Sequence, residues 1–312
     1  MPNKTIEEIA SDGQTTEDQV YRERIVRELL YKQAGNLSVG TQIVDETPFN
    51  TLDVKFSFPS EMSATYPVAQ DSTDSRERIT WEDFEMTLQR GQSRYFIADS
   101  AKLRGVDNLQ LQMTQDRSGE AMARRKDENI LGTLANGAYS ENEDVAANPW
   151  NSDDADIVNE LHTMWTDILT NAPVNNVDIE NFAVVLPIEV WTEINALELI
   201  NNVQQQVSEY LGQTYGFSIF PTKVGMHDDD SIDLQDTAMM MIPGDDTAIH
   251  GVLSEDAASE AGVPLVEQER QQGKGEEYLV SQWFDTQVLE HESTGDGESP
   301  RISVRTGVNQ NA

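Results

Sequence analysis

The chain is 312 residues long, contains no cysteine, and carries 56 Asp and Glu against 21 Lys and Arg, a formal charge of −35. Disulfides, thiolate metal sites and cysteine nucleophiles are thereby excluded; no apolar run approaches the roughly 18 residues of a membrane span, and the polar start MPNKTIEEIASDGQTTEDQ lacks the apolar core of a secretion signal. So much like charge strains a compact state in dilute buffer, whereas molar salt shortens the Debye length to about 3 Å; high salt is therefore the expected solvent, and tight binding to nucleic-acid phosphates is not expected.

In chain order, Thr16 caps the first predicted helix with Gln19 three residues on, ahead of Val20, Tyr21, Ile25, Val26, Leu29 and Leu30, and Gly35 closes it. Leu52, Val54, Phe56 and Phe58 then alternate as in a half-buried strand, which Pro59 ends. Residues 60–78 are polar; beyond them Ile79 and Trp81 alternate, and Phe84, Met86 and Leu88 resume one residue out of phase, which predicts a β-bulge near Glu82–Asp83. Two strands joined by a long polar tip have too little core to stand alone, so a neighbouring surface is expected against them.

A helix of about thirty residues follows, from an N-cap at Asp107 with Gln110 to a C′ glycine at Gly137, near 45 Å long at about 1.5 Å per residue. Its apolar stripe of Leu109, Met113, Ala123, Ile130 and Leu134 is thin, which predicts a helix lying on a sheet with much of its circumference wet. After an acidic connector at 140–156, Ile157, Leu161, Met164, Trp165 and Ile168 make the cleanest helical stripe, stopped by Pro173. FAVVL at 182–186 reads as a buried strand, Pro187 as the first residue of a helix, and Val203, Val207, Tyr210 and Leu211 as one face of another. Short strands are expected at 217–220, 238–242 and 248–253, then two long ones in EYLVSQWFDTQVLE and RISVRT, with SEDAASEAGVP and RQQGKGEE as exposed linkers. The length fits one large or two interleaved domains, without internal repeats.

The chemical inventory is thin. No P-loop, GxGxxG, GxSxG or HExxH pattern occurs. His162, beside the Leu161–Trp165 face, and His250, inside an apolar run, read as structural because neither has a candidate nucleophile at a recognisable spacing; His291 lies between glutamates. Asp228, Asp229, Asp230 and Asp233, with His227 and Asp236, form an acidic loop whose oxygens suit Ca²⁺ or Mg²⁺. It lacks the glycine and terminal glutamate of an EF-hand, and acidic loops are common at this charge. No catalytic or cofactor-binding residue is assigned, and an enzyme is not expected.

The order of these elements resembles the major capsid proteins of the Hong Kong 97 type from tailed viruses. YFIADSAKL resembles the segment joining their extended E-loop to the spine helix, RRKDENILGTL the end of that helix, FAVVLPIEVWTEINAL a strand and helix of the axial A-domain, and EYLVSQWFDTQVLE the late strand of the peripheral P-domain. The acidity, with fourteen Arg to seven Lys, points to a halophilic archaeal host, since guanidinium is weakly hydrated and pairs carboxylates bidentately. The resemblance implies an α+β capsid fold: an N-terminal arm with one helix at 1–49, the E-loop hairpin at 50–97, a P-domain with spine helix at 98–155, the α/β A-domain at 156–255, and a return to the P-domain with C-terminal strands at 256–312. It implies a non-enzymatic subunit of an icosahedral virion, assembled in the host cytoplasm as hexamers and pentamers that enclose double-stranded DNA without specific binding. Scaffolding, portal and decoration proteins would be separate partners, and no membrane is involved. Leu52, Val54, Phe56, Phe58, Trp81 and Phe84 are the expected interface of the hairpin. No lysine lies within 60–78, and Lys55 is near the hairpin base, so covalent crosslinking of the kind some members use is not expected. The alternatives are a minor capsid or tail protein, and a halophilic metal-dependent enzyme using the 227–236 cluster.

Overall fold

The computed structural model describes residues 38–59, 81–100, 107–152, 155–172, 181–196, 216–224, 233–244, 246–260, 266–271, 274–289 and 298–309. The predicted helices at 16–35 and through 203–211, and the hairpin tip, lie outside the described residues. In chain order the first elements are a short helix α1 (Gly40–Ile43) and strands β1 (Glu46–Phe49), β2 (Asp53–Pro59), β3 (Trp81–Thr87) and β4 (Gln89–Ala98). The long helix α2 (Asp107–Asn136), strand β5 (Glu143–Val145), helix α3 (Ile157–Asn171), strand β6 (Ala183–Pro187), helix α4 (Ile188–Ala196) and strands β7 (Ser218–Thr222) and β8 (Thr237–Met241) follow. Strand β9 (Ala248–Leu253), helix α5 (Glu255–Glu260) and strands β10 (Val266–Gln271), β11 (Gly275–Val288) and β12 (Ile302–Thr306) complete them.

The first sheet is organised by β11. One edge of β11 pairs antiparallel with β4; the other takes β10 over its first half and β9 over its last residues, and β1 adds in parallel to β9. Successive side chains point to opposite faces of a strand, and here both faces are used. Phe284 and Val252 pack with Met122 and Ala123 of α2. On the opposite face Trp283 and Leu253 pack with Val54, Met86 and Leu88, and Ile249 packs with Phe84, Phe56 and Phe49. The sheet thus lies between the long helix and the base of the β2–β3 hairpin. Gly251 is in that seam because a Cβ there would stand 2.4 Å from Met86 Cε and 3.0 Å from the Phe49 ring.

Several expectations change here. β2 and β3 pair without a break from Asp53 opposite Thr87 to Pro59 opposite Trp81, so there is no bulge at Glu82–Asp83. In an unbroken strand Trp81 has the parity of Asp83 and Glu85, so the slip in the pattern records a change of face and not an inserted residue. The hairpin also ends at Thr87 instead of running to 97, because β4 leaves it to pair with β11. Apolar alternation continues through both strands and hides the switch.

The second sheet has the order β5-β12-β8-β6-β7. β6 and β8 are buried at every position. On one face Val184, Leu186 and Met240 meet Leu161, Met164 and Ile168 of α3 and Val190 of α4. On the other, Val185, Met239 and Val304 meet Ile130, Leu131 and Leu134 of α2, together with Val288 of the first sheet. The C-terminal half of α2 is therefore held between the two sheets. Ile130, Leu131, Leu134 and Ala135 are all fully buried while Met113 is 53% exposed, and most of the exposed positions, from Met113 to Arg124, precede this buried stretch. Gly137 ends it not as a left-handed cap but because a Cβ would lie 2.6 Å from Val288 Cγ2.

Two strands lie in the opposite sheet from the one expected. β9 joins the first sheet and not the α/β unit, and β12 joins the second and not the returning C-terminal strands of the first. Short runs buried on both faces read alike in either sheet, so the sequence carries no sign of the assignment. Pro187 is the last residue of β6, opposite Thr222, and not the start of the helix. Of the expected linkers, one contains α5 and the other takes in the end of β10 and the start of β11, where Gly275 and Glu276 are buried. The acidic connector contains β5, and Trp150, 1% exposed, donates from Nε1 to Glu160 Oε2 at 2.7 Å.

Candidate functional site

The hairpin residues expected at an interface do not share one environment. Val54 and Phe84 are buried, at 5% and 6% exposure, against this chain's own first sheet and β1. These two are corrected from intermolecular to intramolecular contacts, since the partner surface a lone hairpin needs is supplied by β9 and β11. Phe56 is half-buried in the same seam, 5.7 Å from the Phe84 ring centroid. Leu52 is 43% exposed. Phe58 and Trp81 are placed in β2 and β3, opposite Glu82 and Pro59, and their side chains lie outside the described residues. From Asp53 to Ser57 the outward face of the hairpin is polar: Asp53 faces Thr87, Lys55 pairs with Glu85, and Ser57 with Asp83.

Asp228, Asp229, Asp230 and His227 lie outside the described residues, as does His291. Asp233 accepts from Gln235 N at 2.9 Å, and Asp236 accepts from Asn309 N at 2.9 Å, so each commits one carboxylate oxygen to this chain's own amides. Among the described residues no group of three or more His, Asp or Glu is arranged to hold a metal ion. A shallow cleft on the outer face of β4, β10 and β11 is lined by Arg94, Glu267, Glu269, Glu277 and Leu279. Glu269 stands directly opposite Glu277, and Arg94 Nε, 3.2 Å from Glu277, relieves the like-charge contact.

The densest polar arrangement is buried between α2 and the first sheet, and sequence reading did not find it. Lys126, 1% exposed, is paired with Glu46 of β1. The next residue, Asp127, accepts from the Ser38 hydroxyl at 2.6 Å and from Gly40 N at 2.8 Å, tying the segment that leads into α1 to the middle of α2. Burial pushes the Asp127 carboxyl up from its ordinary range, against these hydrogen bonds. One turn on, Asn129 donates to Asp285 at 3.1 Å and accepts from the Thr286 hydroxyl at 2.7 Å. With that hydroxyl hydrogen committed to Asn129, the 2.9 Å contact between Thr286 and His250 Nδ1 requires His250 to donate from Nδ1, leaving Nε2 as an acceptor with no hydrogen-bond partner among the described residues. Burial, reinforced by the Lys126 charge, pushes His250 down to about 3, so the ring is neutral. Burial likewise raises the Asp285 carboxyl. The available signal was the charged pair Lys126-Asp127 inside the segment whose neighbours Ala123 and Ile130 are apolar. The knot holds α1, β1, β9 and β11 to one helix. His162 is exposed on α3, 5.5 Å from the Trp165 ring.

No family profile matches this chain, and no curated protein matches it. Solved structures do. A virus-like particle from Pyrococcus furiosus superposes with TM-score 0.61 at 9% identity, over 92% of this chain and 99% of that one. A phage-related protein from Bordetella bronchiseptica gives 0.61 at 12% identity, over 92% and 97%, and the capsid of cyanophage P-SCSP1u gives 0.56 at 12%, over 86% and 87%. Over 86–92% of its length this chain thus shares a mixed α/β fold with these three structures.

Proposed function

We propose that this chain is the major capsid protein of a tailed virus of a halophilic archaeon, a shell subunit of the Hong Kong 97 type that assembles into hexamers and pentamers around double-stranded DNA. The observation that carries the reading is the likeness to a virus-like particle and to a phage capsid, over 86% of this chain or more. The long helix clasped between two sheets, with a hairpin laid on the opposite face of one of them, supports it. In this reading the residues before 38 and the hairpin tip reach neighbouring subunits, and the exposed Leu52 is the part of the hairpin base left for them. Scaffolding, portal and decoration proteins would be separate chains.

The acidity supplies the second half of the reading, since a formal charge of −35 on every subunit makes each interface a meeting of like charges. Electron microscopy of the purified protein in molar NaCl is expected to show hexamers, pentamers or closed shells. A small monodisperse species at every salt concentration would sink the proposal. Dilution to about 0.1 M salt is expected to dissociate the particles, because the Debye length then grows to about 10 Å. On denaturing gels the particles are expected to give a single band without a ladder.

A further inference from the structure

Helix α3 carries two carboxylates, and both are turned to partners within the chain. Glu160 accepts from Trp150 Nε1 at 2.7 Å and from Ala147 N at 3.0 Å. Asp167 accepts at 2.9 Å from Arg305, which is itself 3% exposed. Ile157, Leu161, Met164 and Ile168 face the core. The exposed positions that remain within the helix are Asn159, His162, Thr163, Thr166 and Thr170, with no carboxylate, Lys or Arg among them; the exposed Asp156 at the end of this face is the helix cap and accepts from Asn159 N at 3.3 Å.

The threonines are also less polar than their names suggest. Thr163 donates to Asn159 O at 2.9 Å, Thr166 to His162 O at 2.8 Å, and Thr170 to Thr166 O at 2.7 Å. A hydroxyl bonded back to the carbonyl four residues earlier is satisfied within the helix. Alongside runs a flank of Val158, Trp165 and Leu169, each only partly buried against the core. A helix that reads as polar on its outer side therefore presents threonines whose hydroxyl hydrogens are already committed, beside an exposed imidazole and a half-buried indole.

Elsewhere the exposed surface keeps its charge: Asp53 and Glu85 on the hairpin, Asp116 and Glu120 on α2, Glu189 and Glu193 on α4. Two copies of a chain at −35 repel wherever carboxylates meet, and like-charge juxtaposition in an interface opposes association. A cationic partner would be drawn to carboxylates, and α3 turns its own away. We infer that the exposed face of α3, centred on Thr163 and Thr166, is a contact surface for a second copy of this chain. What that contact builds, a ring within a shell, rests on the reading given under Proposed function.

The test uses the full chain in molar NaCl, with assembly followed by light scattering and electron microscopy and the fold by thermal unfolding of dissociated subunits. Thr163→Glu with Thr166→Glu is expected to raise the concentration needed for assembly at least about ten-fold with the unfolding temperature unchanged; should the pair unfold, Thr166→Glu alone decides in the same way. Thr163→Val with Thr166→Val is expected to assemble at parent concentrations, because the hydroxyls are not needed outside the helix. Ala121→Glu, an exposed position of α2 beside exposed Glu120, is expected to change nothing. Glutamate variants that assemble like the parent overturn this contact and leave the shell reading standing. Valine variants that fold but fail to assemble overturn its dry character. A parent that never associates overturns both.

Discussion

Helix α2 meets the two sheets by different chemistry. Against the second sheet it presents Ile130, Leu131, Leu134 and Ala135, all fully buried among Val185, Met239, Ile302 and Val304. Slightly earlier, against the first sheet and the segment at 38–46, it presents Lys126, Asp127 and Asn129, each bound to a specific partner. The apolar seam is tolerant, because one aliphatic contact substitutes for another at modest cost. The polar knot is selective: sliding α2 by one residue would break the bonds to Glu46, Ser38 and Thr286 together and strand buried polar groups. The first seam supplies stability, and the second supplies register.

That contrast can be broken at four points. Leu134→Ala in the apolar seam is expected to have the largest effect, about 2–5 kcal/mol for a large-to-small change at a fully buried site, read by chemical denaturation of dissociated subunits in molar salt. Lowering the pH acts next, through the knot. His250 is held down to about 3, below its unfolded value of 6.5, so the unfolded chain binds the extra proton and stability falls as pH drops from 6.5 towards 3. Asp127 and Asp285, raised by burial, act in the opposite direction at the acid end. The loss between pH 6.5 and 4 is expected on the order of 2–3 kcal/mol, and His250→Asn, which keeps a donor for Thr286 but cannot take a proton there, should flatten the slope. A slope unchanged in His250→Asn would show that the titrating group lies elsewhere.

The third point is the ion pair. Glu46→Gln leaves Lys126 buried without its counter-charge and is expected to cost roughly 1–3 kcal/mol, whereas Lys126→Met, which removes the buried charge and leaves a carboxylate 38% exposed to water, is expected to cost less. Equal losses would mean that the pair contributes only through packing. Last, Lys55→Gln on the outer face of the hairpin is expected to leave the unfolding midpoint unmoved, since Lys55 and Glu85 are 73% and 69% exposed and molar salt screens them.

Where side chains repeat with a clear period, the fold was legible. α3 runs Ile157–Asn171 with the four buried residues at helical spacing, and β6, β7, β8 and β11 fall where apolar runs stand. What was not legible is long-range pairing: neither β4 nor β12 announces which sheet it joins, because its partner is far away in sequence and any apolar face satisfies the pattern. The interface residues were misread for the same reason at Val54 and Phe84, whose partners Phe49 and Ile249 come from β1 and β9. The polar knot escaped because a Lys-Asp pair in a helix usually signals a solvated face, and only the tertiary structure covers it. The uncharged face of α3 is the reverse case, visible in the sequence as NELHTMWTDILTN yet without meaning until Glu160 and Asp167 are seen bound inside.

The parallel pairing of β1 with β9 sets Glu46 beside His250. Roughly two hundred residues separate them, and at about 5–20 residues per second a ribosome needs on the order of 10–40 s to deliver the second after the first. During that interval β1 has no edge to join, and the far wall of the hairpin seam, Ile249 and Leu253 of β9, has not arrived. β12, in the middle of the second sheet, emerges later still. Each sheet therefore closes only when its C-terminal strand emerges, the first with β11 and the second with β12, so the order of the strands alone makes closure a late event in synthesis.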